Sequence, residues 1–115
     1  LKPRFNSLLL LHNTIHHQGT FYNKNLFKGF RYNVEYRTIA DYELNLICYL
    51  KRAKLKIKTS NQFIAICADD GLSHSRKDLF ISETNSIRSK YNNPIFNIVL
   101  QTILLAKFKM INLFK

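Results

Sequence analysis

The sequence predicts an α+β fold with the order strand, helix, strand, strand, helix, strand. Three observations predict it. Residues 30–37 alternate strictly, with Phe30, Tyr32, Val34 and Tyr36 on one side and Arg31, Asn33, Glu35 and Arg37 on the other. Apolar residues at helical spacing follow at once, and a second helical stripe follows Asn93-Pro94. Between them, Asp70-Gly71 separates two apolar arms, a strong local signal for a chain reversal. Two helices on one face of a four-stranded antiparallel sheet is the ferredoxin-like arrangement.

Each element has its own justification. Residues 1–29 form a basic, Asn-rich N-terminal extension with one apolar cluster at Leu8 to Leu11, where a short helix through His17 is expected. His12 and His16 are four apart and would share one helix face, but no third ligand is evident, so they read as solvated or phosphate-facing histidines. Residues 30–115 form the folded domain. In its first strand Tyr32, Val34 and Tyr36 face the core, and Val34→Asp is expected to be destructive. Thr38 caps the first helix with Asp41 three positions on, and Tyr42, Leu46, Tyr49, Leu50 and Ala53 line its buried side.

A long hairpin comes next. Residues 55–68 are its first arm, Asp69, Asp70 and Gly71 its apex, and residues 76–84 its return, with Leu79, Phe80 and Ile81 apolar. Asn93 and Pro94 open the second helix as N-cap and first helical residue. Its buried stripe is expected at Ile95, Ile98, Val99, Thr102, Leu105 and Ala106. Phe108 and Met110 alternate with Lys107 and Lys109, so the chain is expected to end in a strand.

The charge is the loudest global feature. A net +11 over 115 residues, with a pI near 9.9, is more than a fold needs, and its self-repulsion favours a polyanionic partner. Nucleic acid is the first candidate and an anionic membrane surface the second. No apolar run is read as a membrane span, since Lys107 and Lys109 bound the helix after Pro94. The Asn-, Lys-, Ile- and Phe-rich composition and the opening Leu1 fit an AT-rich organellar genome, and a trimmed N-terminus explains Leu1 equally well. Cys48 and Cys67 lie in apolar sequence and read as buried thiols.

Little here calls for catalysis. Asp69 and Asp70 are adjacent carboxylates with His74 nearby, a pattern a metal-dependent phosphodiesterase would use. At a Gly turn they read as turn formers. No phosphate-binding Gly loop, Gly-x-Ser-x-Gly elbow or supported Cys-His pair occurs. The expectation is a protein that is not an enzyme, with no cofactor, metal or small-molecule substrate.

The return segment HSRKDLFI resembles the hairpin return of the small-subunit ribosomal protein S-ten family, which reads roughly SPH-x-x-K-x-SR-x-x-F-x-I. Ser75 and Arg76 match directly, Leu79 takes the apolar slot and Ile81 the last. Lys51-Arg52 lies where the family carries Lys-Arg at the end of its first helix, and Asn93-Pro94 lies at a family-like helix start. The resemblance covers residues 30–115 and implies a mitochondrial ribosomal protein of the small-subunit head. Its partners would be ribosomal RNA and neighbouring small-subunit proteins, in the mitochondrial matrix, from an organelle-encoded gene. A second, local resemblance runs from Asp69 and Asp70 through LLAKFKM to half of a LAGLIDADG homing endonuclease, in which one of the two carboxylates would bind the catalytic metal. A third reading is an accessory subunit of an organellar membrane complex, suited to the apolar second helix and the basic leader.

Under the ribosomal reading two groups of side chains are expected to meet RNA phosphates. Lys51, Arg52, Lys54, Lys56 and Lys58 run along the hairpin base, with His74, Ser75, Arg76 and Lys77 beside its apex. Lys2, Arg4, Lys24 and Lys28 of the leader add a looser contact. Arg76 is expected to matter most at the apex, because its fork can grip a phosphate and stack on a base. Complementing the dipole at the end of the first helix explains Lys51, Arg52 and Lys54 about as well.

Overall fold

The structure, a computed structural model, describes residues 4–60, 62 and 75–113. Among these residues it is all-α. It has helices α1 (Ala40–Leu50), α2 (Lys77–Tyr91) and α3 (Pro94–Leu113), with short 3-10 segments before α1 at Ser7–Leu10, His17–Gly19 and Lys24–Lys28 and after it at Arg52–Lys54. No strand occurs among the described residues, so the α+β, ferredoxin-like expectation is wrong.

The alternating segment fails as a strand for a local reason. The Asn33 side chain accepts a hydrogen bond from the Glu35 amide at 2.9 Å, and the Tyr36 amide donates to the Asn33 carbonyl at 3.2 Å. This Asn-initiated turn reverses the chain at Val34 and Glu35. Val34, expected in the core, is 92% exposed. Phe30 and Tyr32 pack edge to face on each other at 5.5 Å, and Tyr32 packs on Phe27 at 5.8 Å, so the aromatics satisfy one another without a sheet. Of the three residues expected to face inward, Tyr36 alone packs against the core.

The hairpin is also corrected where it can be seen. Residues 55–60 have no regular structure, and residues 77–84 of the supposed return arm are the first half of α2. A short apolar run such as Leu79-Phe80-Ile81 fits strand or helix equally; the following residues decide. Glu83, Thr84, Ile87 and Arg88 recur at helical spacing, and all four are buried. The apex, with Asp69, Asp70 and Gly71, lies outside the described residues, as does Cys67.

The start of α3 is as expected. Asn93 caps it, its side chain accepting from the Ile95 amide at 2.9 Å. Two other expectations for α3 fail. It runs on through Lys107 and Lys109 to Leu113 and does not yield to a strand. Its apolar stripe also faces the wrong way: Ile95, Ile98, Val99 and Leu105 are exposed, whereas Asn97, Leu100 and Leu104 are buried.

The core is built on α1. Tyr42, Leu46 and Tyr49 pack with Ile39, with Ile87 of α2 and with Leu9 of the leader. Leu9 is fully buried, and the Tyr42 hydroxyl donates to its carbonyl at 2.6 Å. A smaller cluster joins Leu11 to Leu100 and Leu104 of α3. Leu50 and Ala53, expected on the buried side of the first helix, are exposed. No single helix runs through His17, so His12 and His16 do not share a helix face.

His12 is half-buried, its Nε2 lying 3.1 Å from Lys107 Nζ. An ammonium only donates, so Nε2 accepts and Nδ1 carries the proton to the Asn13 carbonyl at 3.0 Å. Burial lowers the His12 pKa against the raising effect of that carbonyl, and the Lys107 and Arg88 charges lower it further.

The helix junctions are polar. Glu83 of α2 receives the Arg37 amide at 2.6 Å, the Thr38 amide at 2.9 Å and the Thr38 hydroxyl at 2.5 Å. Thr38 is therefore not the N-cap of α1; Ile39 stands there with no side-chain cap, and the carboxylate of a distant helix serves the N-terminus instead. Asp41 does not complete a capping box but accepts from the Asn13 amide at 3.2 Å. Burial alone would raise the Glu83 pKa, but the Thr38 hydroxyl and the backbone amides of Arg37, Thr38 and Ile39 together hold it below the ordinary glutamate value.

Between α2 and α3, Asn97 donates to Asn85 at 3.0 Å and Arg88 donates to Gln101. Arg88 is fully buried, and its Nε and Nη1 have no hydrogen-bond partner. Burial lowers its pKa, partly offset by Tyr42.

Two outcomes follow from these junctions. Glu83→Gln should lower stability at neutral pH by ~1.5–3 kcal/mol, the range for hydrogen bonds to a charged group. Because the Glu83 pKa is depressed on folding, its contribution is complete above the unfolded glutamate value of about 4.3 and is lost as pH falls through the folded value. Chemical denaturation from pH 7 down to pH 3 should therefore show a shallower acid loss in Glu83→Gln than in the wild type. Arg88→Met removes a buried cation with unmet donors, so its melting temperature should equal or exceed that of the wild type. A loss of several degrees in thermal melts would show that the guanidinium stabilises the fold.

Candidate nucleic-acid interface

The interface begins where α1 ends. The Lys51 amide closes the helix by donating to the Ile47 carbonyl at 3.0 Å, and Arg52 donates from Nη1 to the Tyr49 carbonyl at 2.9 Å. The Arg52 guanidinium also lies 4.2 Å from the centre of the Tyr49 ring. Arg52 thus terminates the helix: it satisfies an orphan carbonyl and meets the negative end of the dipole. The chain then leaves the core, and Lys51, Arg52, Lys54, Lys56 and Lys58 are all exposed. No carboxylate among the described residues lies within ion-pair distance of any of them.

The leader returns to the same place. Asn23 caps the 3-10 segment Lys24–Lys28, its side chain accepting from the Asn25 amide at 2.9 Å. Asn25, Leu26 and Gly29 of the leader line an open groove of about 360 Å³ together with Ile47, Lys51 and Leu55. Lys24 and Lys28 flank the leader's lining residues in sequence and are exposed. Phe30 also lines the groove, and Tyr32, packed edge to face on it, is 41% exposed. Burial raises the Tyr32 pKa, with the Asp41 charge second, so it stays a neutral phenol. Lys51 is the cation and Phe30 the aromatic ring of the groove lining, and exposed cations flank both in sequence; single-stranded nucleic acid is held by such pairs, phosphates on the charges and unpaired bases on the rings.

Cys48 lines the groove from α1. As expected it is buried; burial raises its pKa against the opposing pull of Lys51, so it is a protonated thiol rather than a nucleophile.

The other expected site residues are dispersed. Arg76 pairs with Asp78, Nε to Oδ1 and Nη2 to Oδ2, both at 3.3 Å. The fork expected to grip a phosphate is therefore already engaged, and the hydrogen bond with Asp78 raises the Arg76 pKa while lowering that of Asp78. Ser75 is exposed two residues before α2, and Lys77, half-buried, is the first residue of that helix. Arg4 is exposed at the far end of the leader, and its carbonyl accepts from the Thr14 hydroxyl at 2.5 Å. Lys2 and His74 lie outside the described residues. So do Asp69 and Asp70, on which the endonuclease resemblance depends; among the described residues, no cluster of three His, Cys, Asp or Glu side chains could hold a metal.

The alternation of residues 30–37 predicts Phe30 and Tyr32 as core aromatics; Phe30 instead lines the groove and Tyr32 packs on its edge. Their interleaving with Arg31, after Lys24 and Lys28, is a basic-aromatic mixture that the sequence carries alongside the alternation.

No family model, curated protein or solved structure matches the chain.

The division of labour among the cations is testable. Arg52→Ala should lower stability by about 0.5–1 kcal/mol through loss of its ring contact and carbonyl bond. Lys54→Ala and Lys56→Ala should stay within about 0.5 kcal/mol of the wild type, as exposed substitutions do. Urea titrations of the three variants would measure this. Equal losses would remove the structural role assigned to Arg52.

Proposed function

We propose that this chain is a structural RNA-binding protein of a mitochondrial ribosome, holding RNA by its phosphates rather than reading its bases. The carrying observation is the exposed run from Lys51 to Lys58. Five cations in eight residues run outward from a groove that Lys51 and Phe30 help to line, with no described carboxylate in ion-pair reach.

The acidic side chains near the core are used within the fold. Glu83 serves the start of α1, Glu43 receives Lys90 at 3.3 Å and the Tyr91 hydroxyl at 2.7 Å, and Asp41 receives Asn13. Lys51, Arg52, Lys54, Lys56 and Lys58 are left exposed. Such a surface releases counterions when it meets a polyanion. The S-ten resemblance supplies the ribosomal setting, but the ferredoxin-like fold it implies is not that of the described residues. The RNA reading therefore rests on the basic groove.

The test is RNA binding across a salt series, with co-sedimentation on small ribosomal subunits. Replacing Lys54, Lys56 and Lys58 together by Gln should reduce the salt slope by roughly two units on single-stranded RNA, at about 0.7 per phosphate contact. An unchanged slope would move the interface elsewhere. Absence from small subunits, with RNA binding intact, would remove the ribosomal setting and leave the RNA reading standing.

A further inference from the structure

The outer face of α3 is unlike the surface of the rest of the protein. Opposite its packed side, Ile95, Ile98, Val99 and Met110 are each at least half exposed, and Leu113 is 82% exposed. This is the stripe that amphipathic spacing marks for burial. The face that does pack is mixed: Asn97 is bonded to Asn85 and Gln101 to Arg88, beside the buried Leu100 and Leu104. The helix is thus apolar on both sides, with its polar amides turned to the protein and a second aliphatic face turned to the surroundings. So large an exposed apolar surface marks a contact with a membrane or a protein.

We propose that α3 docks this face on an anionic lipid bilayer, lying in the plane of the headgroups. Three observations favour lipid as the occupant. First, α3 is one continuous helix of 20 residues, long and apolar enough to cross a membrane by length and composition; this corrects the expectation that no segment reaches such a length. Second, the face is already prepared for an apolar medium. The Thr102 hydroxyl donates to the Ile98 carbonyl at 2.9 Å, and so needs no partner from outside. Third, the charge is complementary. Lys107 and Lys109 are the only charged residues of α3, both cationic, on a chain of net charge +11. Lys109 can reach the headgroups along its aliphatic stem.

Lying flat fits better than crossing. Full insertion would carry Asn97 and Gln101 into hydrocarbon and strip Arg88 of its one side-chain partner. In the plane of the interface, the polar side stays on α2 and only the outer side enters the acyl boundary.

The experiment is flotation of the full chain with vesicles of phosphatidylcholine, alone or mixed with phosphatidylglycerol. The protein should float with the mixed vesicles, and added salt should weaken but not abolish this. The double variant Ile98→Gln, Val99→Gln changes only exposed positions and should keep the wild-type helical circular dichroism. Its partition onto vesicles should fall by roughly tenfold or more, as expected for two aliphatic side chains removed from the lipid contact. Its RNA salt slope should be unchanged, which separates this proposal from the RNA reading.

Equal flotation of wild type and variant would overturn the proposal, since charge alone would then explain binding. So would failure of the wild type to float on either vesicle. If that failing protein is a dimer in sedimentation and Ile98→Gln makes it a monomer, the face belongs to a second copy of the chain.

Discussion

A single carboxylate ties the two ends of this fold together. Glu83 sits on α2, forty-five residues from Thr38, yet it receives the amides and hydroxyl that precede α1. A helix N-terminus left without acceptors is costly, and Ile39 offers none. The bond therefore fixes where α1 begins and how α2 crosses it. Ile87, one turn further along α2, then falls into the cluster of Tyr42, Leu46 and Tyr49. The leader closes the same cluster with Leu9, held by the Tyr42 hydroxyl.

The same economy shapes the electrostatics. The chain has few acidic residues, and Glu83, Glu43 and Asp41 face inward or into junctions. Each is placed where burial alone would penalise it and where amides or hydroxyls compensate. The cations that remain have little to neutralise them locally. They follow the exit of the chain from α1, so the exposed cationic run grows out of how the core was assembled.

The α3 packing carries the opposite lesson. Amide pairs and a buried guanidinium make its contact with α2, while Phe108 on Phe80 at 6.0 Å and the Leu11, Leu100 and Leu104 cluster supply the apolar part. A polar contact of this kind specifies orientation more than it stabilises. It also leaves the greasier side of the helix available, and an exposed aliphatic stripe of this length sets what the protein can adhere to.

The sequence by itself determined the local chemistry. The Asn93-Pro94 start of α3, the existence of α1, the buried state of Cys48 and the cationic run at Lys51 to Lys58 were all legible, because caps, periodicity and charge act over a few residues. Only the tertiary structure decided the rest. Residues 30–37 have perfect strand alternation, but a strand needs a partner, and the Asn33 side chain turned the chain before one could form. Residues 77–84 read equally as strand or helix until Glu83, Thr84, Ile87 and Arg88 found α1 and α3 to pack against. Which side of α3 faces inward could not be read from hydrophobicity alone, since Leu100 and Leu104 lie on one side and Ile95, Ile98 and Val99 on the other. Asn97 and Gln101 are held inside by Asn85 and Arg88, residues of another helix, and a polar side chain belongs in the interior only where its hydrogen-bond partner is already waiting.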